Sequence, residues 1–193
     1  MNKKTRALTE EQCKNIISTM RTGFVCSDGR IVKPNKRIAT ALTLEANLGL
    51  RIGDILKLRL TSIIRDGDRY RLNIVEQKTN KKREFTVPTD IYIYIQNYAL
   101  ENNISPAAKL FDIGERAINK HLKLVCDYLG YEGIGSHSFR KYYSYSIYVN
   151  NNYDINLVRV LLQHSSTVTT QRYIGIQSKQ IENALQNHIK FFD

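Results

Sequence analysis

Apolar positions along this chain recur first at a helical period, then in alternation, then at the helical period again. In "LTEEQCKNIISTMRTG", residues 8–23, Cys13, Ile16, Ile17 and Met20 keep the i, i+3, i+4, i+7 spacing of one helix face. Thr9 stands where it can cap that helix, Gln12 three residues on completes a capping box, and Gly23 ends the run. After a basic connector containing Pro34, "NKRIATALTLEANLG" predicts a second helix closed by Gly49, and "RIGDILKLRL" a short helix leading towards a sheet. The period then drops to two. "RYRLNIVEQ" alternates Tyr70, Leu72 and Ile74 with polar residues, and "REFTVP" does the same with Phe85 and Val87. The polar "KTNKK" between them predicts a β-hairpin with a basic tip, bounded by Pro88.

Helical spacing returns in "TDIYIYIQNYALENN", where Ile91, Ile95, Tyr98 and Ala99 share a stripe, and continues in stretches at about 115–129, 136–150, 154–163, 166–174 and 178–191. These elements predict an α+β fold, mostly α-helical, with one small antiparallel sheet or hairpin. No repeat, low-complexity segment or composition shift marks a boundary, so a single domain is expected over 1–193. A basic lead occupies 1–8, and a tail helix over 177–193 carries Ile181, Leu185, Ile189 and Phe192 on one stripe.

Composition narrows the class. No run of about 18 apolar residues is present to span a membrane, and the charged start "MNKKTRALTEEQ" is followed by no apolar stretch of a signal peptide, so a cytoplasmic location is expected. Cys13, Cys26 and Cys126 are scattered with no CxxC spacing, which predicts free thiols rather than a zinc site or disulfides. Against 18 Asp plus Glu stand 29 Lys plus Arg, a net charge of +11. An excess of that size favours polyanions, and nucleic acid is the commonest of them in a cytosol.

Candidate chemistry sits in four places. His164 and Tyr173 lie nine residues apart, which on one unbroken helix of 3.6 residues per turn would put them on opposite faces. Ser165 or Ser166 can cap a new helix between them, so that imidazole and phenol converge. His137 and Arg140, three apart, share a helix face. Arg51 follows the helix-ending Gly49, with Gly53 and Asp54 opening the next turn, and Lys78 starts the hairpin tip. Singly, each has an ordinary structural reading; with twelve tyrosines, any one is more often core or surface than catalyst. Together the six make an anion site containing a nucleophile. Arginine forks suit the non-bridging oxygens of a phosphate and the charge that grows there during transfer. A phenol can hold the phosphate as an ester. No paired carboxylates or His/Cys clusters are present to hold magnesium or zinc, so metal-free chemistry is expected.

The stretches "LGLRIGDILKLRL", "IVEQKTNKKREFTVP", "HSFRKYY" and "LLQHSSTVTTQRYIG", in this order over residues 48 to 175, resemble the tyrosine recombinase or phage integrase family, and "ALTEEQCKNIISTM" looks like the entry to its catalytic domain. The resemblance implies a site-specific recombinase that cleaves and rejoins DNA for integration, excision or inversion. Tyr173 would attack a phosphodiester to give a 3′-phosphotyrosyl link, with Arg51 and Arg140 clamping the phosphate. Lys78 would protonate the leaving 5′-oxygen, His137 would act as acid/base partner, and His164 would hydrogen-bond the phosphate. It further implies no cofactor, double-stranded DNA as partner, and self-association as a tetramer on recombining DNA through the C-terminal tail. Accessory DNA-bending proteins and a nucleoid-associated location complete the expectation.

The chain departs from the family pattern at Gln163, where glycine is usual, at Phe139, where leucine is common, and at Lys141, where histidine or threonine often sits. Lys81 is the fallback for Lys78. With about eight residues before the first helix, no N-terminal core-binding domain is expected. A type IB topoisomerase, which relaxes supercoils by the same chemistry, and a DNA-binding protein with a decayed site are the alternatives.

Overall fold

The computed structural model describes residues 5–175 together with 186 and 187. The tail helix expected over 177–193 therefore lies, but for those two residues, outside the described residues. The chain divides after Tyr143 into two compact units.

In the first unit, α1 (Glu10–Thr22) begins with the capping box its sequence predicts: the Thr9 side chain accepts from Gln12 N–H, and the Gln12 side chain accepts from Thr9 N–H. Cys13, Ile16 and Met20 are its buried positions. Helix α2 (Lys36–Leu48) starts on an Asn35 cap and is apolar on most sides, because it packs against both α1 and the short α3 (Ile52–Ile55). Its Ala39, Ala41, Leu42 and Leu44 are all fully buried, and each such leucine stabilises the fold by about 1.5–3 kcal/mol. Helices α4 (Thr89–Glu101) and α5 (Glu115–Leu129) add Ile95, Ile118, Leu122 and Val125 to the same core.

The strands form three small antiparallel sheets. β1 (Phe24–Val25) pairs with β2 (Ile31–Val32), a hairpin too short to show alternation in the sequence. β3 (Ile63–Asp66), β4 (Arg69–Leu72) and β7 (Thr86–Val87) form the second sheet, and β5 (Ile74–Val75) and β6 (Lys82–Arg83) the third. The expected hairpin over 69–88 is present in one continuous register: Tyr70 faces Val87, Arg71 faces Thr86, Ile74 faces Arg83, and Val75 faces Lys82. It is interrupted at Asn73, whose N–H turns away to Ser62 O at 2.8 Å.

Helix α6 (His137–Asn150) gives its first half to this unit. Phe139 is its fully buried anchor. Lys141 donates from Nζ to Thr5 O at 2.5 Å, and Arg6 N–H donates to Gly133 O at 3.0 Å, so the end of the basic lead is held in place.

The second unit comprises the rest of α6, α7 (Ile155–Leu162) and α8 (Thr167–Ile174), around a small core of Tyr148, Val158, Leu162 and Ile174. Asp154 caps α7 by accepting from Asn156 N–H and Leu157 N–H. Among the described residues no helix is long and apolar enough to cross a membrane.

Candidate active site

Four of the six expected residues belong to the first unit. Arg51 leaves the junction between α2 and α3, where Gly49 has φ 59° and ψ 22°. A Cβ at Gly49 would stand 2.3 Å from the Tyr143 ring, so both the left-handed backbone and the close approach of that ring require glycine. His137 and Arg140 stand on the first turn of α6, one exposed and the other only 2% exposed. Lys78 is exposed on the hairpin turn. Arg51, Lys78 and His137 line one open pocket of about 270 Å³, together with Gly53, Asp54 and Glu115; Lys81 is not among its lining residues.

Behind the pocket lies a residue that the sequence reading left unassigned. Glu76 is fully buried, and its Oε2 accepts from Arg51 Nη1 at 2.5 Å and from Thr79 Oγ1 at 3.1 Å. Its Oε1 takes Arg83 Nη1 at 2.6 Å, with Arg140 Nη1 at 4.0 Å. Burial alone would raise the Glu76 pKa, but the guanidiniums of Arg83, Arg51 and Arg140 together hold it below the ordinary value. It stays a carboxylate. Three arginines around one carboxylate leave an excess of two positive charges. Arg83, fully buried, has its pKa lowered to about 10 by burial and by Arg140, and remains charged at neutral pH.

Asp54 performs a second fixing role. Buried at the start of α3, it accepts from Gln77 N–H at 3.0 Å and so ties the hairpin turn to the Arg51 segment. Partial desolvation, then the charges of Arg140, Arg51 and Lys78, hold the His137 pKa below the ordinary histidine value, with Glu115 pulling the other way. A neutral imidazole at pH 7 is the result, able to accept a proton.

His164 and Tyr173 lie in the second unit, and the structure brings these two together. Ser166, one of the two serines foreseen as caps, accepts from Thr169 N–H and starts α8. The His164 and Tyr173 rings then meet edge to face, their centroids 5.4 Å apart at 81°. Thr170 Oγ1 donates to Ser166 O at 3.1 Å and stands within hydrogen-bond reach of His164 Nδ1, also at 3.1 Å.

A family model described as "Phage integrase family" matches residues 6–180. The chain belongs to that family. Probable integrase/recombinase YoeC of Bacillus subtilis (strain 168) is similar to this phage integrase family member at 30% identity over 154 residues, covering 76% of this chain and 81% of YoeC. Among solved structures, XerH site-specific recombinase bound to palindromic difH substrate, in a post-cleavage complex, matches with a TM-score of 0.70 at 18% identity, over 96% of this chain and 54% of that one. The catalytic domain of bacteriophage HP1 integrase matches with a TM-score of 0.61 at 14% identity, over 95% of each chain. At those identities the likeness is one of fold. This chain spans about half the length of the XerH chains.

In this integrase-family chain the turn before His164 is built without the family's usual glycine. Gln163 N–H donates to Val160 O and His164 N–H to Arg159 O, both at 3.0 Å, the paired bonds of a Schellman ending, with Gln163 itself left-handed at φ 56°. The left-handed region costs an L-residue about 1–2 kcal/mol, most when it is β-branched. Gln163→Gly is therefore expected to exceed Gln163→Val in stability by at least about 1–2 kcal/mol, as read by denaturant unfolding. Equal stabilities would show that the backbone does not hold this conformation.

Proposed function

We propose that this protein is a site-specific DNA recombinase of the tyrosine type, with all six residues acting on one DNA phosphate. Tyr173 Oη attacks phosphorus. The bond from phosphorus to the 5′-oxygen breaks as the tyrosyl ester forms, and Lys78 gives the departing oxygen its proton. Arg51 and Arg140 neutralise the non-bridging oxygens as charge accumulates on them. His137, neutral at rest, receives the phenolic proton, and His164 hydrogen-bonds the phosphate. Attack by a 5′-hydroxyl from another duplex reverses the step and completes the exchange. The ester conserves the bond energy, so the reaction asks for neither metal nor nucleotide cofactor. On this reading the two units work as one catalytic domain. The partners are double-stranded DNA, further copies of the chain joined through the tail over 178–193, and DNA-bending proteins.

The observation that carries the reading is the meeting of Arg51, Lys78 and His137, from three distant stretches of sequence, in one pocket. Arg140 is buried one helical turn after His137, and the family match spans both units. The test is covalent trapping on nicked duplexes drawn from DNA flanking the coding sequence. A protein–DNA adduct resistant to denaturant supports the proposal, and its absence from every duplex contradicts it.

The lowered pKa of His137 sets a pH dependence. Only the neutral ring accepts the phenolic proton, so the adduct rate rises with pH as His137 deprotonates and levels off above that point. The midpoint of this acidic limb is expected below 6.5, the ordinary histidine value. His137→Gln should remove the limb and lower the plateau by about 10²–10⁴-fold. A midpoint at or above 6.5 would argue against the assignment.

A further inference from the structure

Glu76 is absent from the chemistry just described, and it joins the parts that perform it. We propose that Glu76 is a positioning residue, a single buried carboxylate that sets the spacing of Arg51 and Arg140 and links both to the turn carrying Lys78. The inference rests on the recombinase reading and deepens it.

Three observations support the link. First, the two oxygens are divided: Oε2 takes Arg51 and Thr79, whereas Oε1 faces Arg83 and Arg140. Arg83 alone is a sufficient counter-ion for a buried carboxylate, so the approach of two more guanidiniums does something beyond neutralising it. Second, the Glu76 backbone closes the turn. Its N–H donates to Lys81 O at 3.0 Å and its carbonyl accepts from Asn80 N–H at 2.9 Å, with Lys78 between them in the chain. Third, Glu76 has no exposed surface, whereas the Arg51 side chain keeps 19% of its own. The carboxylate cannot touch DNA, but the arginine it holds can. Like-charged guanidiniums repel. Without the carboxylate between them that repulsion is no longer offset at this point, and a shift of about 1 Å in such a group can cost about 10²-fold in rate.

Glu76→Gln keeps the shape and removes the charge. Because it leaves the cluster one charge more positive, affinity for the nicked duplex should hold or tighten, while the adduct rate at saturating protein falls at least tenfold. Damage to the fold alone would weaken both. Glu76→Asp, which restores the charge one methylene short, should recover part of the rate. Replacing the bridging 5′-oxygen with sulfur reads out the lysine half of the link, since a thiolate departs without a proton; there the Glu76→Gln defect should shrink and the arginine share persist. If Glu76→Gln does not fold, Thr79→Val, which removes one hydroxyl from Oε2, should slow adduct formation a few-fold at unchanged affinity. Wild-type rates in the folded Glu76→Gln protein, or in Thr79→Val if it must stand in, overturn the inference while the recombinase reading stands. So does a parallel fall in affinity and rate. No adduct from the wild-type protein on any duplex would remove both.

Discussion

Tyr173→Phe is expected to bind DNA as the wild type does and to form no covalent adduct, because phenylalanine has no oxygen to carry the ester. The substitution removes one oxygen and leaves the ring. Phenylalanine can keep the edge-to-face contact with His164, and the Ser166 cap and the Gly175 ending of α8 do not depend on the hydroxyl. Binding should survive because the phosphate contacts assigned to Arg51, Arg140 and Lys78 are untouched. An electrophoretic shift on the flanking-DNA duplexes and denaturing gels of the same samples separate the two quantities. Adducts that persist in the variant would pass the nucleophile's role to another residue.

Arg83→Leu should cost substantial stability while leaving the pocket lining intact. Arg83 is fully buried, bonded to Glu76 at 2.6 Å, within 3.5 Å of Gly49 O, and stacked 4.8 Å from the Phe85 ring centroid. Breaking a buried ion pair from one side costs about 3–5 kcal/mol, because the other charge stays behind without water. Arg51 remains on Glu76 here, which places the expected loss near the lower end, about 3 kcal/mol. At about 2–4 °C of Tm per kcal/mol for a chain of this size, that is a fall of about 6–12 °C. Lys82→Leu, on the same strand but paired with Glu84 in solvent, should cost less than about 1 kcal/mol. A loss below about 1 kcal/mol for Arg83→Leu would show that the pair carries little of the fold.

How far the sequence reveals this arrangement depends on the length of each pattern. Helices α1, α2 and α5 run for three or more turns and end on Gly23, Gly49 and Gly130, so period and stop signals agree. The two-residue strands Phe24–Val25 and Ile31–Val32 have no room to alternate, and Ile63–Asp66 places two isoleucines side by side, so these strands left no signal. The Ser166 cap was legible, but the left-handed Gln163 was not, because glutamine carries no mark of that conformation.

The missed pair, Glu76 and Arg83, did leave a trace. Leu72, Ile74 and Glu76 share one phase of the alternation, and Arg83, Phe85 and Val87 share the matching phase across the hairpin. A charge on the inward phase of each strand, near enough to meet, is the pattern of a buried ion pair. The basic tip "KTNKK" ends at Lys82, and Arg83 opens the alternating strand that follows. The alternation locates Arg83 on its inward phase.

Trypsin digestion of the covalent adduct, followed by mass spectrometry of the DNA-linked peptide, tests the central assignment most directly. Cleavage after Arg172 and Lys179 releases YIGIQSK, residues 173–179, and the account predicts a phosphodeoxynucleotide on its tyrosine. The same modification on a peptide from elsewhere in the chain, carrying any of the other eleven tyrosines or a serine, would contradict it.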